Sequence, residues 1–204
     1  MLAAQINFCV VGHHSRRDSA NALGERLNAR LFIDEERHGS NWNHRRALEW
    51  AATQSKRVIV LEDDALPVNG FEHLAESWLD RFPDNVVSFY LGTGRPPHRQ
   101  LEIAMRLIDT DKFRTDYIWM NRLIHGVCYS IPPAFLKRML LNWNPNKGAD
   151  YAISDVNKGK VIYPAFSLVE HADLDVVERH PDGHKRTERR KAWRLHEGIE
   201  RWPD

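Results

Sequence analysis

The sequence predicts an α/β protein built on a mixed, mostly parallel central sheet flanked by helices. Three observations carry that prediction. Short apolar runs without polar alternation recur through the first half, as in strands covered on both faces. Segments with apolar residues at helical spacing lie between them, and strands alternating with helices argue for parallel pairing. The second half mixes the two less regularly, which predicts an antiparallel pair there. At 204 residues the chain suits one well-packed domain.

The elements follow in order. Ile6 to Val11 reads as a first strand, stopped by Gly12. Asp18 or Ser19 could cap a helix carrying Ala20, Leu23 and Leu27 on one face. Ala29 to Ile33 is a second strand ending at Asp34, and the polar stretch from Glu35 to Asn43 is a loop. His44 to Ala52 looks helical, with Ala47, Leu48, Ala51 and Ala52 inward. The third strand runs from Arg57 through Leu61. The clearest amphipathic helix follows, with Phe71, Leu74, Ala75, Trp78, Leu79 and Phe82 on one stripe and Asn69 as its cap. Asn85 to Leu91 is another strand and Gly92 to Pro97 a loop. Tyr117 to Ile131 holds strand-like runs broken around His125 and Gly126. Pro132 and Pro133 open a helix bearing Phe135, Leu136, Met139 and Leu140, since proline is tolerated in a first turn. Asn142 to Gly148 is a loop, Asp150 to Val156 a short helix, and Val161 to Val169 one or two strands.

Composition narrows the function. Hydrophobic residues make up 42% and charged residues 28%, as in an ordinary globular protein. A formal net charge of +1 predicts no strong nonspecific attraction to nucleic acid or to a membrane surface. Cys9 and Cys128 both lie in apolar, strand-like segments and read as buried reduced thiols. Without a signal peptide or a long apolar stretch, no membrane span is expected and a reducing cytoplasm is the expected compartment. Residues 1–177 form the expected domain. Residues 178–204 read as a charged, helical and solvated tail, in which Glu188, Glu197 and Glu200 offset part of the basic run from Lys185 to Arg194.

The most informative segment is Arg57 to Pro67, where an apolar strand ends in Glu62, Asp63 and Asp64. Open α/β sheets place their ligands at the C-terminal edges of strands. Three adjacent carboxylates repel one another, and each would have a raised pKa if left alone. A hard divalent cation resolves that conflict, with phosphate oxygens completing its shell.

The order of these elements resembles that of the GT-A-fold glycosyltransferases, and most of all small bacterial and phage-type enzymes akin to the lipooligosaccharide glycosyltransferases of family 25. The similar parts are Asn43-x-x-Arg46-Ala47-Leu48, Val60-Leu61-Glu62-Asp63-Asp64-Ala65-x-Pro67, Gly126-Val-Cys-Tyr129, Gly148-Ala-Asp150 and Pro164-x-x-Ser167-Leu168-Val169-Glu170-His171. Together they span roughly residues 6 to 173. The resemblance implies a GT-A-like, that is Rossmann-like, sheet and a nucleotide-sugar donor. It also implies an Asp-x-Asp-like motif that holds Mn²⁺ or Mg²⁺ against the donor's diphosphate. A metal there stabilises the charge that develops on the leaving group.

Carried onto this chain, the motif makes Asp64 the first candidate metal ligand and Asp63 the second, with Glu62 assigned to the ribose or a metal-bound water. His171 resembles a further ligand near the C-terminus of such enzymes; the competing reading is a surface histidine after a strand. In an inverting enzyme a carboxylate must accept the acceptor's proton. Asp150 is the first choice for that base and Asp155 the second, although Asp150 could equally be the N-cap of the following helix. Gly12-His13-His14 falls where such folds place the nucleotide base, and Asp34 could hydrogen-bond base or ribose. Arg16, Arg17, Arg95, His98 and Arg99 could meet phosphates or an acceptor. The acceptor itself, whether saccharide, protein or modified nucleobase, is not specified by the sequence. Two other functions compete with this one: a metal-dependent nuclease or phosphoesterase using the same carboxylates, and a non-catalytic module that binds a sugar nucleotide.

Overall fold

A computed structural model describes residues 6–172, 174–177 and 188–197. Its centre is a seven-stranded sheet in the order β2-β1-β3-β7-β5-β8-β6. The strands are β1 (Ile6–His13), β2 (Arg30–Asp34), β3 (Arg57–Glu62), β5 (Val86–Ser88), β6 (Tyr117–Met120), β7 (Cys128–Ser130) and β8 (Val161–Pro164). β1 pairs in parallel with β2 and β3, and β5 with β8. β7 runs antiparallel between β3 and β5, and β6 antiparallel along β8. Only β6 and β7 therefore oppose the common direction, so the sheet is mixed and mostly parallel as expected. The antiparallel strands both belong to the second half of the chain. A separate two-stranded sheet joins β4 (Ala65–Pro67) to β9 (Val169–His171).

Strand residues alternate between two apolar clusters, one on each face. Cys9, Val11, Val58 and Val60 pack with Ala47, Leu48 and Ala51 of α2 (Ser40–Ala51). Val10, Ile59 and Leu61 pack on the other side with Ala20, Leu23 and Leu27 of α1 (Arg17–Leu27), and with Phe71 and Ala75 of α3 (Phe71–Arg81). The β1–β2 and β2–β3 connections thus lie on opposite faces. They make the gap between β1 and β3 a topological switch point, where open sheets of this kind take ligands. Both cysteines are buried and unbridged.

Helix starts differ from the sequence reading. α1 begins at Arg17, after a 3₁₀ turn at His14–Arg16, and neither Asp18 nor Ser19 caps it; Asp18 lies in its first turn. α2 begins at Ser40 rather than His44, because Gly39 turns the chain at positive φ and the Asp34 carboxylate takes the backbone N–H groups of His38 and Gly39. α3 starts after Gly70 in a left-handed conformation, and Asn69 does not cap it. The longest helix, α4 (Pro97–Phe113), has no counterpart in the sequence reading. It buries Ile103 and Leu107 but exposes Leu101, Met105, Ile108 and Phe113. Apolar residues on both faces erase the one-sided stripe by which a helix is recognised. α5 (Pro133–Leu141) and α6 (Ala149–Val156) lie where expected.

The C-terminal segment is not helical where it is described. Residues 188–197 form an extended strap bonded to the domain. Thr93 N–H reaches the Lys191 carbonyl, Trp193 N–H the Leu91 carbonyl and Ser167 N–H the Arg194 carbonyl, at 2.8–2.9 Å. Ala192 is buried, and both Arg194 guanidinium nitrogens lie 2.6 Å from the Asp111 carboxylate. Backbone pairing and these anchors outweigh the local charge pattern that favoured a solvated helix. The rest of the expected tail, residues 178–187 and 198–204, lies outside the described residues.

Candidate active site

Glu62 ends β3, and its carboxylate falls on the α2 face of the sheet, continuing the alternation of Val58 and Val60. There it meets His44, whose Nε2 lies 3.2 Å from Oε1. His44 is 1% exposed, and its Nδ1 lies 3.0 Å from the Tyr129 hydroxyl. Burial pushes the Tyr129 phenol well up, so it stays protonated and donates to Nδ1; Nε2–H then donates to Glu62. Burial alone would raise the Glu62 carboxyl, but the hydrogen bond from His44, with the charge of Arg190 adding to it, holds it below its ordinary value. Gly126 makes room for this contact, since a Cβ there would sit 2.9 Å from Glu62 Oε1.

Asp63 and Asp64 follow the strand's end and turn to the α1 side. Asp63 Oδ2 accepts the His13 N–H at 2.7 Å. Arg16 Nη1 bridges both carboxylates, 3.1 Å from Asp63 Oδ1 and 2.6 Å from Asp64 Oδ2. Its Nη2 donates to the Asp175 carbonyl. The close approach of α1 that sets Arg16 here depends on Gly12, because a Cβ at that position would lie 2.9 Å from both Ala20 Cβ and Ile33 Cδ1. Burial, with the charge of Asp64 adding to it, raises the Asp63 carboxyl to about 6 despite the His13 N–H and Arg16.

His171 reaches the same point from β9. Its Nε2 lies 3.3 Å from Asp64 Oδ2, and the residue is fully buried. It is therefore not the surface histidine of the competing reading. Asp64 is 4% exposed, and its other oxygen, Oδ1, has no hydrogen-bond partner among the described residues. The Tyr90 hydroxyl is likewise buried and unpartnered among them, with the Tyr90 ring between those of His125 and His171 at 5.2 and 6.0 Å.

The three carboxylates thus divide. Repulsion among them is relieved by His44 on one face and by Arg16 and His171 on the other, where the sequence reading invoked a metal alone. Among the described residues no group of three or more His, Cys, Asp or Glu side chains is arranged as a metal cage. Asp64, with one buried oxygen that has no partner among the described residues, and the imidazole of His171 are the side chains here that could hold a divalent cation, and an imidazole suits Mn²⁺ better than Mg²⁺. Such ions are held by one or two protein groups together with substrate phosphates and waters.

The other residues singled out from sequence are placed as follows. Asp150 is the second residue of α6 and not its cap; Gly148 holds that position, and Asp150 Oδ1 accepts the Tyr151 N–H at 2.9 Å. Burial, with Glu62 adding to it, raises the Asp150 carboxyl to about 6. Asp155 faces cations, paired with Lys147 and, at 3.2 Å, with Arg122, and Lys147 holds it below its ordinary value. Asp34 is buried with both oxygens on loop N–H groups, at 3.0 and 2.7 Å. Arg17 pairs with Glu35 and Arg99 with Glu102. The Arg95 carbonyl accepts from His125 Nε2 at 2.9 Å, which keeps that imidazole in place, and burial lowers its pKa to about 4. Sequence reasoning missed the His44–Tyr129 pair, two residues 85 positions apart, although both lie in or beside motifs it quoted. It also missed Arg190, whose charge acts on Glu62, Tyr90 and His125 from the strap.

No protein-family model and no curated protein matches this chain. Among solved structures it is similar to that described as "Crystal Structure of A197 from STIV", with a TM-score of 0.54 and 11% identity over 97% of this chain and 98% of that one. At that identity the likeness defines the fold alone: a mixed α/β chain with a Rossmann-like sheet. No helix among the described residues is long and apolar enough to cross a membrane.

Proposed function

We propose that this protein is a metal-dependent glycosyltransferase of the GT-A kind, moving a sugar from a nucleotide-sugar donor to an acceptor hydroxyl or amine. The observation that carries this reading is Asp64. It is a buried carboxylate at the sheet's switch point, with one oxygen beside His171 and the other without a partner. Asp64 and His171 would hold Mn²⁺ or Mg²⁺, which would neutralise charge on the donor's diphosphate.

Two neighbouring carboxylates have pKa values pushed apart, as acid–base sites require. Glu62 stays ionised through His44 and would serve a ribose hydroxyl or a metal-bound water. Asp150, raised to about 6, is suited to accept a proton near neutrality. In an inverting transfer the acceptor oxygen bonds to the anomeric carbon while the bond from that carbon to the diphosphate oxygen breaks. The electron pair leaves with the diphosphate, and the acceptor proton passes to Asp150. Asp155, held by two cations, serves this role less well. The two free, buried thiols support a reducing cytoplasm as the site of action.

Thermal shift with nucleoside diphosphates and nucleotide-sugars, with and without Mn²⁺, tests the reading, because a ligand of the native state raises its melting temperature. Metal-dependent stabilisation together with slow release of nucleoside diphosphate from one donor is expected. Cleavage of nucleic acid with no response to any nucleotide-sugar would replace transferase by phosphoesterase.

A further inference from the structure

We infer that Arg16 is a resident counter-cation that occupies the Asp63–Asp64 pair until the substrate's phosphates draw it away, so that the divalent cation and the diphosphate enter this site together. The inference rests on the metal reading of Asp64 and His171 given above and assigns Arg16 a positioning role that reading lacks.

The geometry is specific. One nitrogen of Arg16 bridges Asp63 Oδ1 and Asp64 Oδ2, and the other donates to the Asp175 carbonyl. All three side chains are nearly buried, at 9, 6 and 4% exposed for Arg16, Asp63 and Asp64. A buried carboxylate pair without a counter-charge is strongly unfavourable, and Arg16 removes that cost in the ligand-free protein. The same arrangement opposes a metal. A divalent cation on Asp64 and the guanidinium on the same carboxylate would be like charges in a poorly screened site. Asp64 Oδ1, buried and unpartnered, marks where the metal would approach while Arg16 still holds Oδ2.

A diphosphate resolves the competition, because a guanidinium binds phosphate oxygens as readily as carboxylates. Arg16 can exchange Asp64 for phosphate while Asp63 keeps its second contact, the His13 N–H. Metal and diphosphate then promote each other's binding, and by linkage the effect is mutual.

The test measures Mn²⁺ affinity from the electron paramagnetic resonance signal of the free ion, with folding checked by thermal melting. Wild type, Arg16→Met, Arg16→Lys and Arg16→Met/Asp64→Asn are compared with Mn²⁺ alone. Arg16→Met is expected to bind Mn²⁺ about tenfold more tightly than wild type or better, the scale on which metal affinity responds to neighbouring groups. The added Asp64→Asn substitution should abolish that gain. Arg16→Lys keeps the charge and so protects the fold, but its single nitrogen cannot take both positions that the two Arg16 nitrogens occupy, one against the carboxylates and one against the Asp175 carbonyl. It should shift affinity the same way by a smaller factor, which decides the matter if Arg16→Met does not fold. Equal Mn²⁺ affinity in wild type and the Arg16 variants would overturn the counter-cation while leaving the metal site standing. Absence of Mn²⁺ binding in every protein, with nucleoside diphosphate present as well, would overturn the metal reading itself.

Discussion

Asp64 and His171 stand 107 positions apart in the chain, yet Nε2 of one lies 3.3 Å from Oδ2 of the other. The small β4–β9 sheet makes that meeting. Ala65 pairs with His171 in its register, and the Ala172 N–H reaches the Asp64 carbonyl at 2.9 Å. Two short strands thus fix the backbone on both sides of the contact. The backbone positions are set by that pairing, and the burial of both side chains limits the rotamers left to carboxylate and imidazole.

Because Asp64 is buried, the informative substitution keeps its volume. Asp64→Asn should remove Mn²⁺-dependent stabilisation by nucleoside diphosphate while the protein remains folded, since Arg16 retains Asp63 as counter-ion. Titration followed by thermal shift checks this. Undiminished metal-dependent stabilisation in a folded variant would remove Asp64 from the site.

His171→Gln is expected to lower Mn²⁺ affinity by a factor of about 10 or more. Glutamine is polar and of similar reach, so the space that the imidazole fills beside the Tyr90 ring stays occupied. A variant that binds Mn²⁺ like wild type would make His171 a buried partner of Asp64 and nothing more.

The legible part of the fold was the part governed by periodicity. β1, β3 and α3 are read from Ile6–Val11, Val58–Leu61 and the Phe71–Phe82 stripe because one face or both are uniformly apolar. α4 escaped because its exposed Leu101, Met105 and Ile108 balance its buried Ile103 and Leu107. At the site, the acidic end of β3 announced itself, but the division of its carboxylates did not. Whether Glu62 and Asp63 share a face depends on where the strand ends, and strand ends are set by pairing with a distant segment, here β7. The Arg16 contact depends on the α1 start, which shifted from the expected cap because Gly12 admits the helix so closely. Local sequence carries the donors; tertiary approach decides which donor meets which.

The Tyr129–His44–Glu62 chain predicts a stability effect. Tyr129→Phe removes the hydroxyl that serves His44 Nδ1 and leaves a buried ring nitrogen unpaired, a loss of about 1–3 kcal/mol. Chemical denaturation reads it directly. An unchanged midpoint would mean that His44 finds another partner. Transfer should fall as well, since Glu62 is then less firmly oriented.

Asp150 ties stability to catalysis in opposite directions. Burial lifts its carboxyl from an ordinary 3.8 to about 6, so the folded protein holds that proton more tightly than the unfolded chain does. The stabilisation from this is complete below about 3.8 and is lost as pH rises through about 6. Asp150→Asn carries no such titration. Relative to wild type its stability should therefore grow between pH 4 and pH 7, by on the order of 1 kcal/mol once solvent screening at a half-buried site is allowed for. Catalysis runs the other way. Wild-type transfer should rise with pH through about 6 as the base ionises, whereas Asp150→Asn should bind nucleotide normally and transfer sugar about 10²-fold more slowly or worse. Melting curves and initial rates measured across that pH range on both proteins test the two halves separately. Normal transfer by the variant would rule Asp150 out as the base. Loss of nucleotide binding together with transfer would instead place Asp150 in the donor pocket. Retention of anomeric configuration in the product, read by NMR, would remove the need for a single-displacement base at all.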